Sequence, residues 1–122
     1  IGKYNMKLNS FLILSTLIFI GGCASPNTGY YWENYSGTLY NFKKNPNEET
    51  RQKHIKELES IIIKANEKGS RVPPGVHAEL GYILAQQGEK GLAVEQLNNE
   101  INVYPESKTF IERISIMLGL ED

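Results

Sequence analysis

The sequence predicts an all-α fold, a short stack of about five helices, and three observations support this. Apolar residues recur at spacings of three and four along most of the chain after residue 30, as expected for helices with one buried face. No segment shows the clear alternation of apolar and polar side chains that predicts a strand. Helix-breaking residues separate the periodic segments: Asn45-Pro46-Asn47, Gly69 and Pro73-Pro74-Gly75.

Two helices are predicted at residues 33–44 and 48–68. One face of the first carries Trp32, Tyr35, Leu39 and Phe42. Asn47 is a suitable N-cap for the second helix, because its side chain can accept a hydrogen bond from the first turn. Glu48 and Glu49 follow in that turn and complement the helix dipole. The apolar face of the second helix is formed by Ile55, Leu58, Ile62 and Ala65.

The segment PGVHAELGYILAQQGEKGLAVEQLNNEINVYPES, residues 74–107, resembles a tetratricopeptide repeat, a helix-turn-helix unit of about 34 residues. The residues that carry the resemblance are Leu80, Gly81, Leu84, Gly88, Ala93, Leu97 and Pro105. Gly81 and Ala93 are small where two antiparallel helices would cross closely, and Gly88 permits a tight turn between them. The leucines are expected to fill the space around the crossing.

Two residues depart from the repeat pattern: His77 stands where tryptophan is frequent, and Glu100 where alanine is. A single repeat cannot bury its own faces, so helices on both sides must cover it. The first two helices can form an irregular preceding pair. A last helix, capped by Ser107 and ended by Gly119, can cover the other side with the apolar stripe Phe110, Ile111, Ile114, Met117 and Leu118. A right-handed stack of one and a half to two and a half repeats results.

The N-terminal part of the sequence has the three regions of a signal peptide. A short basic stretch opens at Met6, an apolar run follows at residues 11–20, and Gly21-Gly22 supply small residues before a cleavage point. The run is well short of the roughly 20 apolar residues that a membrane-spanning helix needs. We therefore expect residues 1–22 to be removed and Met6 to be the true start.

Ile20, Gly21, Gly22 and Cys23 resemble the lipobox of bacterial lipoproteins, in which the signal peptidase cuts before a cysteine that becomes acylated. Cys23 is the only cysteine of the chain, and acylation would explain an unpaired thiol in an exported protein. The resemblance implies anchoring to the membrane. Because Ala24 rather than aspartate follows the cysteine, it implies the outer membrane, with the protein facing the periplasm. The alternative is an ordinary secretory signal with a stray cysteine near its end.

Residues 23–29 are predicted to be a lipidated cysteine with a flexible tether, and residues 30–122 one helical domain. Without residues 1–22 the chain has 11 basic and 14 acidic residues, a net charge of −3, so nucleic acid is not expected as a partner. Basic residues dominate residues 43–71 and acidic residues dominate residues 79–122. The asymmetry has two interpretations. The charges either lie on solvated helix faces without a partner, or form a surface with a basic and an acidic region that orients a partner or contacts lipid headgroups.

The sequence offers no catalytic set, metal site or cofactor motif. His54 and His77 lie on different predicted helices, and the only aspartate is the C-terminal Asp122. We expect that the protein is not an enzyme and that it binds no metal, no cofactor and no small-molecule substrate. His54 is expected to be solvated among lysines, and His77 to pack between helices. Glu57 and Glu59 are expected to be surface charges.

The strings YYWENYSGTLYNFKKNPNEE and RVPPGVHAELGYILAQQG, behind the lipobox, resemble a family of small bacterial lipoproteins classed as a domain of unknown function. The similarity covers nearly all of the chain after the lipobox. Members tend to be encoded beside a lipoprotein that resembles the curli secretion channel and beside a third small lipoprotein. The resemblance implies a role in an outer-membrane assembly, with other envelope lipoproteins as partners.

Two functions are expected for the helical domain. The first is a non-enzymatic adaptor that binds a protein through the concave side of the stack. Its contact residues would include the aromatic side chains Tyr30, Tyr31, Trp32, Tyr35 and Tyr40. The second is a carbohydrate or peptidoglycan binder in which exposed rings of residues 30–42 stack on sugars. The alternative for these rings is core packing of the first helix, since Trp32, Tyr35 and Leu39 share a face.

Overall fold

A computed structural model describes residues 29–121. In chain order its helices are α1 (Tyr35–Lys44), α2 (Glu48–Glu67), α3 (Val76–Gln86), α4 (Lys90–Val103), a 3-10 helix (Pro105–Ser107) and α5 (Lys108–Met117). These described residues contain no strand, and the predicted all-α stack of about five helices is confirmed. The predicted signal peptide, the lipobox and Cys23 lie outside the described residues.

The ends of α2 form as the local sequence predicts. The Asn47 side chain accepts a hydrogen bond from the Thr50 N–H at 3.0 Å. In return the Thr50 hydroxyl oxygen accepts from the Asn47 N–H at 3.2 Å, which completes a reciprocal cap. Past the C-terminal end, Gly69 has a φ of +63°, a conformation that favours glycine and stops the helix.

Two helix starts differ from prediction. α1 begins at Tyr35 rather than at residue 33, because Glu33 has a φ of +41° and cannot be part of the helix. Ser107 does not cap α5: its backbone is helical, and its hydroxyl donates to the Tyr104 carbonyl at 2.7 Å. The reason is that Pro105 starts a 3-10 turn, and this turn continues directly into α5.

The larger apolar cluster lies among α2, α3 and the loop between them. Its buried members are Ile55, Leu58, Ile61, Ala65, Val72, Val76, Leu80 and Ile83. The predicted face of α2 is wrong at one position, because Ile61 is fully buried and Ile62 is only partly buried. Side chains of α1 pack on the edge of this cluster through Tyr35 and Phe42.

A smaller cluster joins α3, α4 and α5 through Ala78, Leu97 and Ile111. Only part of the predicted stripe of α5 is buried there. Phe110 is 61% exposed and Met117 is 69% exposed, although both were expected to pack. The cause is that α5 has a neighbour on one side only among the described residues, so its other side faces solvent.

α3 crosses α4 closely at Gly81. A Cβ atom on Gly81 would lie 3.0 Å from the Ala93 carbonyl oxygen and 3.0 Å from Leu97 Cγ, which is tighter than ordinary van der Waals contact. Ala93 and Leu97 are buried beside it. The turn between the helices contains Gly88 with a φ of +84°. Leu80 is buried and Leu84 partly buried on α3, while Pro105 opens the 3-10 helix.

The two residues that depart from the repeat pattern both join α3 to α4. Glu100 is 3% exposed, and its carboxylate accepts from the Gly75 N–H at 2.8 Å and the Ala78 N–H at 3.3 Å. It thereby caps α3, whose N-cap residue is a glycine without a side chain. His77 is buried and its Nδ1 lies 2.8 Å from Gln96 Oε1.

The crossing predicts that Gly81→Ala destabilises the fold. Alanine gains about 1 kcal/mol of helix propensity, but overpacking a crossing costs about 1–3 kcal/mol, and the rigid Ala93 carbonyl cannot move aside as a side chain could. The matched control is Gly91→Ala in α4, where the added Cβ would point into open space, with no atom of another helix within 4 Å. Urea unfolding should show lower stability for Gly81→Ala and equal or higher stability for Gly91→Ala. Equal effects of the two substitutions would contradict the close crossing.

Candidate functional site

An apolar groove of about 320 Å³ runs across α2, α3 and α4. It is lined by Glu59, Ile62, Ile63, Leu80, Leu84, Leu92 and Gln96. Two of these side chains are largely open to solvent, since Ile63 is 56% exposed and Leu92 is 50% exposed. Apolar side chains of this size gain about 1.5–3 kcal/mol when fully buried, so the groove is suited to receive apolar side chains of another molecule.

The groove follows from a run of three isoleucines at residues 61–63. Successive residues of a helix are about 100° apart, so three of them cover about 200° and cannot all face one core. Ile61 takes the core position and Ile63 is left outside. On α4, Leu92 lies one residue before the buried Ala93 and is half exposed in the groove. The isoleucine run was the signal in the sequence that could have indicated this surface.

A second groove, of about 310 Å³, lies between α4 and α5. Its lining mixes apolar residues such as Val94 and Ile101 with charged ones such as Lys108 and Glu112. An apolar partner segment would have to desolvate these charges, which is costly. The groove across α2, α3 and α4 is therefore the better candidate for binding.

The structure does not unite the five aromatic residues predicted to bind a partner. Tyr30 is 41%, Trp32 38% and Tyr40 62% exposed, whereas Tyr31 and Tyr35 are half-buried. The Tyr31 ring is covered by the Lys68 ammonium at 3.9 Å from its centre. The groove across α2, α3 and α4 is not lined by any residue of the segment 30–42.

Glu33 fastens the segment that precedes α1 to the side of α2. Its carboxylate accepts hydrogen bonds from the Tyr31 hydroxyl at 2.8 Å and the Ser60 hydroxyl at 2.7 Å, and it pairs with the Lys64 ammonium. The hydrogen bonds from Lys64, Ser60 and Tyr31 lower the pKa of Glu33 to about 2. They also hold the left-handed backbone of this residue in place. Nearby, Glu57 accepts from the Asn34 N–H at 2.7 Å, which shows that this predicted surface charge has a structural partner.

His54 is fully buried, so the prediction of a solvated histidine is wrong. Its Nδ1 lies 2.8 Å from the Thr38 hydroxyl oxygen, and its Nε2 lies 3.1 Å from Glu79 Oε1. The Tyr35 hydroxyl donates to the other oxygen of Glu79 at 2.6 Å. The rings of Tyr35 and Phe42 approach the imidazole, with centroid distances of 5.5 Å and 6.1 Å. We call Thr38, Tyr35, His54 and Glu79 the polar clamp, because they join α1 to α2 and α3.

A hydroxyl, an imidazole and a carboxylate in line are also the arrangement of nucleophilic catalysis. In the polar clamp, however, His54 has 0% exposed surface. The Thr38 hydroxyl lies 3.2 Å from the Tyr35 carbonyl of its own helix, where it can donate to the backbone. We therefore interpret the clamp as a structural link between helices.

The clamp also sets the ionisation of its acid. Burial alone would raise the pKa of Glu79, but the hydrogen bonds from His54 and Tyr35 lower it more, so the pKa lies below the ordinary 4.5. Burial and the bond to Glu79 raise the pKa of Tyr35. Glu79 is thus ionised and Tyr35 neutral at pH 7, the states in which their hydrogen bond is strong.

Residues 30–114 match a protein family described as a domain of unknown function, DUF4810, and this match covers more than two thirds of the chain. The chain belongs to the DUF4810 family. The DUF4810 region includes the polar clamp, the α3–α4 crossing and the groove across α2, α3 and α4, and it extends into α5. No curated protein and no solved structure matches the chain.

The described part of the DUF4810 protein has neither a membrane-spanning helix nor a cluster of metal ligands. None of the helices within residues 29–121 combines the length and the apolar character needed to cross a membrane. In the same residues, no three or more histidine, cysteine, aspartate or glutamate side chains come together as metal ligands would.

The polar clamp predicts a specific loss of stability in acid. A carboxyl whose folded pKa is lowered stabilises the fold above its unfolded pKa, and this stabilisation is lost as the pH falls through the folded value. For Glu79 the loss begins below pH 4.5. Tyr35→Phe removes one hydrogen bond from Glu79, so its free energy of unfolding should fall less steeply below pH 4.5 and be lower at pH 7. Chemical denaturation at a series of pH values checks both expectations.

The control for this experiment is Tyr40→Phe, which removes a hydroxyl from an exposed ring of the same helix. Its free energy of unfolding should have the same pH dependence as that of the unsubstituted protein. If Tyr35→Phe behaved like Tyr40→Phe, the bond between Tyr35 and Glu79 would not contribute to stability.

Proposed function

We propose that this DUF4810 protein is a non-enzymatic adaptor of the bacterial cell envelope, anchored by an acylated Cys23 to the outer membrane. It binds an apolar segment of a neighbouring envelope protein in the groove across α2, α3 and α4. The observation that carries the proposal is the exposure of Ile63 and Leu92, at 56% and 50%, which line one apolar groove from two different helices.

The shape of the groove favours a protein segment as its occupant. Three helices contribute to it, as in the open surfaces with which helical stacks bind peptides and helices. Pockets for small ligands combine an apolar lining with several convergent polar groups, whereas Glu59 and Gln96 are the polar side chains that line this groove. The resemblance to small lipoproteins encoded beside other envelope lipoproteins supports a partner of that kind.

The lipid anchor rests on the sequence around Cys23. One acyl chain binds a membrane only weakly, at ~0.8 kcal/mol per buried methylene, whereas two or three chains hold a protein there permanently. An adaptor anchored in this way meets partners within the same membrane at a raised effective concentration. A groove of modest size is then sufficient for specific assembly.

Replacement of Cys23 by alanine should abolish incorporation of radioactive palmitate and release the protein from the membrane fraction. The physical reason is that the thiol is the only acceptor for the acyl group that the lipobox offers. Replacement of the neighbouring Ser25 by alanine is the control and should leave labelling unchanged. Absence of label in the unsubstituted protein would refute lipidation, and with it the anchor.

A photoreactive amino acid at Leu92 should crosslink the protein in intact cells to one envelope protein. Ile63→Glu should weaken that crosslink more than tenfold, because burial of the exposed half of this side chain contributes about 1–1.5 kcal/mol and the variant would have to bury an unpaired carboxylate at further cost. Palmitate labelling and circular dichroism of the same variant should stay normal, which shows that the anchor and the fold are intact.

Two matched controls use exposed apolar residues of α5. A photoreactive group at Phe110 should not capture the same protein, and Ile116→Glu should not weaken the crosslink from Leu92; both residues are 61% exposed. Equal crosslinking from Leu92 and Phe110, or no effect of Ile63→Glu, would contradict binding in the groove.

The alternative function is binding of carbohydrate or peptidoglycan through exposed aromatic rings. It is favoured by the exposure of Tyr30, Trp32 and Tyr40, since rings with a free face can stack on sugars. It is less well supported than the adaptor, because Lys68 covers the Tyr31 ring and Tyr35 is engaged in the polar clamp. Under this alternative, purified peptidoglycan would sediment the protein, and Trp32→Ala would prevent it.

A further inference from the structure

The described part of the chain begins beside the C-terminal turns of α2. Tyr31 lies under Lys68, and Glu33 is bound to Ser60 and Lys64 on the same side of that helix. The loop that follows α2 lies close by, where the Arg71 guanidinium stacks on the Tyr104 ring at 4.5 Å and donates to the Val103 carbonyl at 2.8 Å. We call segment 29–33, the end of α2 and this loop, which continues the chain from α2, the exit face.

The exit face combines amphipathic aromatic rings with cations. Tyr30 and Trp32 are 41% and 38% exposed. Lys68 and Arg71 are exposed as well, and Lys68 lies over the ring of Tyr31, the residue between Tyr30 and Trp32. Glu33 is neutralised by its ion pair with Lys64. The last turn of α2 contains one acidic residue, Glu67. Tyrosine and tryptophan are the residues enriched at the headgroup level of membranes, and lysine and arginine are attracted to anionic headgroups.

The length of the connection limits where the exit face can lie. Six peptide units join Cys23 to Gly29, and even a fully extended chain of that length spans at most about 21 Å. If Cys23 is held at the membrane surface, Gly29 at the start of the exit face stays within about 21 Å of the headgroups. The aromatic and basic side chains of the exit face are thus within reach of the lipid headgroups.

We propose that the exit face docks on the lipid headgroups of the membrane that holds the anchor, with Tyr30 and Trp32 inserted at the interface and Lys68 and Arg71 against anionic headgroups. This inference rests on the acylation of Cys23 proposed above. Docking fixes the orientation of the domain on the membrane. The groove across α2, α3 and α4 is then presented to neighbouring proteins at a defined angle.

Trp32 is the only tryptophan of the chain, so its fluorescence reports on the exit face alone. The acylated full chain is reconstituted into vesicles of phosphatidylethanolamine and phosphatidylglycerol whose acyl chains carry bromine near the headgroup. Bromine quenches an indole only at close contact. We expect strong quenching of Trp32 and a shift of its emission to shorter wavelength, compared with the same protein in vesicles without bromine. Unquenched Trp32 in protein that remains attached to the vesicles would overturn the proposal.

The positional control moves the reporter to the far end of the stack. Lys90 at the start of α4 donates to the Gly119 carbonyl after α5, so the end of α5 lies near the start of α4. Tyr104 lies at the other end of α4, and the 14 residues of this helix measure about 21 Å. Met117, 69% exposed there, is replaced by tryptophan together with Trp32→Phe. This reporter should not be quenched. Equal quenching at both positions would mean that the domain tumbles freely near the bilayer, which contradicts docking.

The charge contribution is tested with Lys68→Ala. A cation near an anionic surface is expected to change the ratio of docked to undocked protein about fivefold, so quenching of Trp32 should be reduced. Lys44→Ala is the matched control, since Lys44 also lies over an exposed tyrosine ring, at 5.6 Å from the centre of Tyr40, and should leave quenching unchanged. Equal quenching in the two variants would remove Lys68 from the docking surface.

The outcomes separate this inference from the proposed function. Loss of the protein from the vesicles would show that it is not anchored, which refutes the lipid anchor itself. Stable attachment without quenching of Trp32 would refute docking and leave the anchor intact. Crosslinking from Leu92 tests the adaptor function independently of both.

Discussion

The contact on which the rest of the described structure depends is the crossing of α3 and α4 at Gly81. Gly81 places only a hydrogen atom between the helices. The Ala93 carbonyl oxygen and Leu97 Cγ therefore lie 3.0 Å from the position that a Cβ atom on Gly81 would occupy. This approach brings Glu100 to the N-terminal end of α3, where it accepts two backbone hydrogen bonds. It also turns Leu80 and Leu84 toward α2, which creates both the main core and one wall of the groove.

The attachment of α1 depends on polar groups rather than on a large apolar face. None of the residues of α1 is fully buried, and the helix is joined to α2 and α3 through the polar clamp. Every buried side-chain nitrogen and oxygen within the described residues has a hydrogen-bond partner, so His54 and Glu79 carry no uncompensated cost of burial. Such contacts are directional and specify one position of α1 on α2, which an apolar contact of similar size would not.

The proposed functions use two separate parts of this scaffold. The groove is built from α2, α3 and α4 and contains no aromatic ring among its lining residues. The exit face is built from segment 29–33, the end of α2 and the loop that follows it, and it carries aromatic rings and cations. A domain with one surface for lipid and another for protein has the geometry expected of an adaptor on a membrane. Of the aromatic segment, which was expected to bind a protein or a carbohydrate, the proposal assigns Tyr30 and Trp32 to the lipid surface.

The sequence by itself determined the features that depend on near neighbours in the chain. The Asn47 cap and the glycine stops depend on residues a few positions apart. The α3–α4 hairpin was predicted because its residues, spread over residues 74–107, resemble a known repeat pattern. Tertiary structure alone decided the roles of Ile61, His54 and Glu100. Either Ile61 or Ile62 satisfies helical spacing with Leu58 and Ala65, and only the position of α3 places Ile61 inside. His54 and Glu100 are buried because another helix brings their partners, a juxtaposition across 16 to 25 residues of chain that local periodicity does not encode.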